Sequence, residues 1–220
     1  MPTIVIASPK GGAGKSTTAV LLGTELAHAG ASVVMLDCDP NGSLTLWRNR
    51  GPLPSRVSVV SGITESGIVK AIKKYDGDGR IVIVDLEGVA SRLVSRAISQ
   101  ADLVITPMRA TTLDATIGVR ALELIAEEEE ALGRHIPHAV IFTMTKAVRS
   151  KQHTGIEESL MTQGVDLIRP PLMERAAFSA LFEFGGDLRS MPPQGNMDSA
   201  LENAREFAQA VYNRLTCGEA

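Results

Sequence analysis

The segment Pro9-Lys10-Gly11-Gly12-Ala13-Gly14-Lys15-Ser16-Thr17 limits the fold more than any other part of the chain. It follows a short β-rich run, Thr3 to Ser8, and leads into an Ala/Leu-rich helical stretch from about Lys15 to Ala29. Glycines at 11, 12 and 14 let successive backbone N–H groups turn inward around an anion. The helix behind them aims the positive end of its dipole at the same place. Lys15 adds a full charge, and Ser16 a hydroxyl suited to a hydrated divalent cation. A chance glycine turn would not bring strand, loop, helix and Lys-Ser-Thr together. The loop departs from the common phosphate-binding pattern only at its first position, where Pro9 replaces glycine.

The rest of the chain alternates in the same way. Apolar runs at Ser32–Leu36, Val57–Val60, Ile81–Val84, Leu103–Thr106, Ala139–Met144 and Val165–Ile168 read as short strands. Helical patterns fall at about Glu65–Tyr75, from near Thr111, and in two final segments, the second from about Asp198 to Leu215. Thr111 and Asp114 have the spacing of a helix cap. Strands alternating with helices predict an α/β fold with a mostly parallel, twisted sheet flanked by helices on both faces, in three layers. Aromatic residues at 4% suit such a sheet better than an aromatic-cored sandwich. We expect one domain over residues 1–220.

Composition removes several functions. No apolar run is long enough to span a bilayer. Cys38 and Cys217 stand far apart and outside any ligand-spaced set, as in a reduced cytoplasmic protein. A formal net charge of -3 means that any contact with nucleic acid must come from local basic patches.

Lys-Gly-Gly-Ala-Gly-Lys-Ser-Thr resembles the deviant Walker A box of the ParA/MinD superfamily, with its additional lysine at Lys10. The likeness extends through Asp37-Cys38-Asp39-Pro40-Asn41-Gly42, the Walker B strand ending at Asp85, and Arg169-Pro170-Pro171-Leu172-Met173-Glu174-Arg175. Leu44 to Trp47, Thr112 to Asp114 and Met173 to Phe178 are most similar to small ParA-type partition ATPases and the VirC-type protein of T-DNA transfer. Because the phosphate loop starts near residue 9, we expect no N-terminal DNA-reading extension of the kind found in large ParA proteins.

The resemblance implies ATP and Mg2+ as ligands and a weak intrinsic ATP hydrolase. Residues 10–17 (Lys10, Gly11, Gly12, Ala13, Gly14, Lys15, Ser16 and Thr17) would hold the nucleotide. Lys10 would reach the neighbour's nucleotide in an ATP-dependent homodimer, and Asp39 would orient the attacking water. Ser16, Asp37 and Asp85 would serve magnesium; as strand-end aspartates, Asp37 and Asp85 also suit helix capping. Arg175 and Arg205 resemble DNA-contacting positions, and Lys151 belongs to the same basic set. Many relatives follow the Walker B aspartate with prolines or glycine, but here the run is Asp85-Leu86-Glu87-Gly88. Gly88 suits a mobile turn, and we read Glu87 as a cap for the helix from about Ser91.

The implied work is plasmid or chromosome partition: the dimer binds DNA non-specifically in the nucleoid until a ParB-like or centromere-binding activator triggers hydrolysis. Positioning of a protein cargo, T-DNA processing, and an ATP-dependent biosynthetic reaction are the alternatives. A MinD-like membrane switch would need a basic amphipathic tail. The stripe Leu201, Ala204, Phe207, Val211 and Leu215 reads instead as core packing beside Asp198, Glu202 and Glu206. An electron-transferring iron protein would need cluster-binding cysteines.

Overall fold

Short runs of Val, Ile and Leu with both faces apolar become strands only where helices cover both sides. In the computed structural model, which describes residues 1–88 and 91–217, six such strands form one parallel sheet. They are β1 (Thr3–Ile6), β2 (Val33–Cys38), β3 (Val57–Val60), β4 (Ile81–Leu86), β5 (Leu103–Arg109) and β6 (His138–Thr143), in the spatial order β3-β2-β4-β1-β5-β6. The helices are α1 (Lys15–His28), α2 (Ser43–Arg50), α3 (Ile68–Gly77), α4 (Arg92–Ile98), α5 (Thr112–Leu132), α6 (Lys151–Thr162), α7 (Ala176–Phe184) and α8 (Met197–Cys217).

Strand residues divide between the two faces with period two. Ile4, Ile6, Val33, Met35, Ile81 and Ile83 pack with α1, α2, α7 and α8. Val5, Val34, Leu36, Val82, Val84 and Val104 pack with α3, α4 and α5. The stripe on α8 belongs to the first face: Ala204, Phe207 and Val211 are fully buried there. No helix among the described residues is long and apolar enough to cross a membrane.

Several local expectations shift. Strand β5 runs through Pro107, which the sequence places after its end. Residue 107 faces the side on which β1 has already stopped at Ile6, so its missing N–H breaks no ladder bond. The expected strand Val165–Ile168 reduces to a single bridge, Val140 to Leu167. Pro170 and Pro171 follow it, and neither can donate to β6. The helix expected from Glu65 starts at Ile68. Helices α2 and α6 go unread in the sequence. The cap of α4 is Ser91, whose hydroxyl accepts from Val94 N–H at 3.3 Å, and not Glu87.

Candidate functional site

Strand β1 lies at the middle of the sheet, between β4 and β5, and the phosphate loop leaves its carboxyl end. Gly14 caps α1 at φ 92°, a left-handed conformation that glycine adopts without strain. Three side chains hold the loop by its carbonyls. Thr143 Oγ1 donates to Ala13 O at 2.8 Å, Arg109 Nη2 to Gly12 O at 3.2 Å, and Lys15 Nζ to Lys10 O at 3.3 Å. With the carbonyls of Ala13 and Gly12 taken up by side chains from β6 and β5, the loop is free to turn N–H groups toward an anion. The sequence did not single out Thr143 or Arg109 for this task; both arrive from strand ends distant in the chain.

Gly11, Gly12, Gly14, Lys15, Ser16 and Thr17 line one cavity of about 350 Å³ together with Asp39, Asn41 and Gly88. Residue 88 passes so close that a Cβ there would stand 3.2 Å from Gly11 N and 3.3 Å from Lys15 Nζ. Only glycine fits without moving the loop. Burial lowers the Lys15 pKa, while Asp85 and Asp39 raise it.

Asp37 and Asp85 are register partners on adjacent strands, so their carboxyl groups emerge side by side. Both are almost wholly buried. Asp37 Oδ2 accepts from Thr45 N and Thr45 Oγ1, at 2.8 and 2.5 Å, and so caps α2. Its Oδ1 and both oxygens of Asp85 have no partner among the described residues. Burial pushes the Asp85 carboxyl up to about 7; the Ser16 hydroxyl and Lys15 ammonium pull the other way, Ser16 without closing a hydrogen bond of good geometry. Three orphaned acceptors beside a serine hydroxyl fit a hydrated magnesium ion, which takes few protein ligands.

Asp39 turns toward the cavity from beyond the end of β2. Its Oδ1 accepts from both the N–H and the side-chain amide of Asn41, at 2.8 Å each. Glu87 lines an adjoining cavity with Asp37, Asp39 and Thr45. Cys38 lies there too, but burial raises its thiol to about 12, so it remains protonated and inert.

Lys10 bends back within its own chain to pair with Asp114 at the start of α5. Asp114 is 3% exposed and also accepts from the Thr111 hydroxyl at 2.9 Å, while its N–H donates to that hydroxyl at 3.2 Å. The expected cap at Thr111 is therefore present, with Lys10 added to it.

The three basic residues expected on DNA do not converge. Arg175 precedes α7 and borders a small pocket beside Gly14 and Thr17, with its Nε buried and unpartnered. Lys151 opens α6 and is exposed. Arg205 lies at the opposite end of the sheet, in a cavity of about 870 Å³ that also includes Met1 and Ile81. That larger cavity lacks phosphate-site chemistry: its Glu25 is held bidentately by Arg189 at 2.6 and 2.8 Å.

Fold and site together define a P-loop protein of the ParA/MinD superfamily. The chain belongs to the VirC1 family, whose model matches residues 1–211. It is 64% identical over 218 residues to Protein ParA of Rhizobium radiobacter, covering 98% of each chain. Protein virC1 of the same organism is 28% identical over 190 residues, 84% of this chain and 82% of that one. Among solved structures, a complex of a Cyanothece McdA variant with ATP superposes with a TM-score of 0.75 at 22% identity, covering 96% of both chains, a likeness of fold.

Proposed function

We propose that this chain is a ParA-type ATPase in which two copies close face to face over ATP and magnesium. The closed pair binds DNA without sequence preference in the nucleoid, and a ParB-like partner triggers hydrolysis and release. One observation carries this reading: a phosphate loop with a second lysine stands against two buried strand-end carboxylates that keep three unbonded oxygens between them. The close similarity to a protein called ParA and the ATP held by the McdA relative in fold support it.

The roles follow from the chemistry of each side chain. Loop N–H groups and Lys15 bind the phosphates, and Ser16, Asp37 and Asp85 hold magnesium, which neutralises charge on the terminal phosphates. Thr17 continues toward a pocket of about 100 Å³ with Met144, Leu172, Glu174, Arg175 and Phe178, an apolar slot with a polar rim that suits the base. Arg175 then serves the nucleotide before any DNA. Asp39, steadied by Asn41, orients water for attack on the γ-phosphorus as the bond to the β-phosphate oxygen breaks.

Lys10 supplies its charge in trans. It must first leave Asp114, so the single protomer holds its own dimerising group in reserve. DNA contacts are left to exposed Lys151 and Arg205 and to whatever surface the dimer joins. Arg149 and Arg169 are already engaged by Glu157, at 2.9 and 2.7 Å, whereas Arg205 is only loosely paired, 4.0 Å from Glu25.

Asp39→Ala tests the chemistry. The variant should bind ATP and accumulate as a trapped dimer, with turnover about 100-fold below the parent chain or lower. Unimpaired turnover by that variant would remove Asp39 from the mechanism.

A further inference from the structure

Among the described residues, five arginines pair with a carboxylate: Arg149 and Arg169 with Glu157, Arg189 and Arg205 with Glu25, and Arg214 with Asp166. Arg109 is not among them, and what sets it apart is its place beside the phosphate loop. It ends β5 at the rim of the phosphate loop and is exposed. Its one hydrogen bond is to a neutral group, the carbonyl of Gly12, and no carboxylate among the described residues lies within ion-pair distance. A full positive charge is thus held against the loop with no carboxylate among the described residues paired to it.

The position of the charge says which phosphates it can serve. A loop that turns its N–H groups inward around phosphate turns its carbonyls outward. Arg109, bound to Gly12 O, does not line the phosphate cavity that Lys15 shares, and so sits outside the cradle. It shares that side with Lys10, whose partner Asp114 begins the helix after β5. Lys10 must break an ion pair to leave, whereas Arg109 gives up only a bond to a carbonyl. Its planar fork also suits phosphate oxygens better than an ammonium does.

We propose that Arg109 is a second trans-acting cation, which engages the phosphates of the nucleotide bound by the facing copy together with Lys10. The proposal rests on the ATP-sandwich reading above.

The test compares Arg109→Ala and Arg109→Lys with the unaltered residue, all in an Asp39→Ala background that preserves ATP. Affinity for a fluorescent ATP is measured at protein concentrations too low for dimerisation, and ATP-dependent dimerisation by sedimentation. Arg109→Ala should dimerise about ten- to a hundredfold more weakly, the weight of a hydrogen bond to a charged group, a loss larger than any it shows in probe affinity as a dilute protomer. Arg109→Lys should recover part of that loss, because it keeps the charge without the fork. Unchanged dimerisation of Arg109→Ala would overturn the proposal. So would a loss of probe affinity in the dilute protomer as large as the loss of dimerisation, which would mean that Arg109 serves its own loop alone. If the Asp39→Ala parent itself stays monomeric in ATP, the sandwich reading falls, and Arg109 with it.

Discussion

At the scale of single residues, the site is a set of groups whose partners are incomplete. Asp85 is the clearest: it lies between Lys15 and Asp37, fully buried, with neither oxygen bonded. A divalent cation would offset the desolvation that now raises its pKa. Asp114 is satisfied in the opposite sense, holding Lys10 and Thr111 at once. Asp114→Asn should release the Lys10 ammonium. The prediction is a less stable protomer, by about 1–2 kcal/mol for a charged hydrogen bond and cap partly lost. It should nevertheless dimerise at lower protein concentration in ATP, which sedimentation would show. These residues differ in how far the sequence reveals them. The loop from Lys10 to Thr17 is contiguous, so its chemistry can be read directly. Asp37 is ambiguous there because a strand-end aspartate suits both a metal and a helix cap, and the structure divides its two oxygens between a cap and an open position. Arg109 and Thr143 gain meaning only when β5 and β6 bring them to the loop.

At the scale of elements, most helices and strands are legible in the sequence, and α2 and α6 are not. Helix α1 ends as its sequence suggests, with Gly30 N–H bonded to Ala27 O and Ala31 N–H to Leu26 O, both at 3.0 Å. Helix α2 is only eight residues long, and just Leu44 and Trp47 are buried. Its three apolar residues, Leu44, Leu46 and Trp47, span too short a stretch to establish a period, and Leu46 is exposed. Tertiary contacts form it instead: Trp47 is completely buried, and its Nε1 donates to Gly186 O at 2.8 Å. Trp47→Phe should cost about 1–3 kcal/mol, from an unsatisfied carbonyl and lost contact, measurable by denaturant unfolding. Because α2 carries Thr45, the same change should loosen Asp37. The segment after β6 is fastened differently, by Arg214 of α8, whose Nε and Nη2 bond Asp166 at 2.7 and 3.0 Å. Those bonds lower the Asp166 pKa. A lowered carboxylate contributes stability above its unfolded value of about 3.9 and loses it as pH falls through the folded value. Asp166→Asn should therefore destabilise by less than about 1 kcal/mol at pH 7, because the pair is partly exposed. That difference should disappear in acid unfolding experiments.

At the scale of the whole molecule, the sheet places nucleotide chemistry at one end and leaves Arg205 at the other. The sequence could suggest that Arg175, Lys151 and Arg205 act together, because separation along a chain says nothing about which end of a strand a residue occupies. A net charge of -3 requires DNA binding to be local and assembled. DNA co-sedimentation should therefore occur with ATP or a slowly hydrolysed analogue, not with ADP, and should weaken steeply as salt rises. Binding in ADP as strong as in ATP would separate DNA from the nucleotide switch.

The most direct test of the sandwich is the mass of the particle in solution with ATP and magnesium, measured by light scattering for Asp39→Ala alone and for Asp39→Ala combined with Lys10→Ala. The account predicts a particle of twice the protomer mass for the first and a protomer that still binds ATP for the second. An ATP-bound protomer in both cases, or a dimer indifferent to the loss of Lys10, would contradict it.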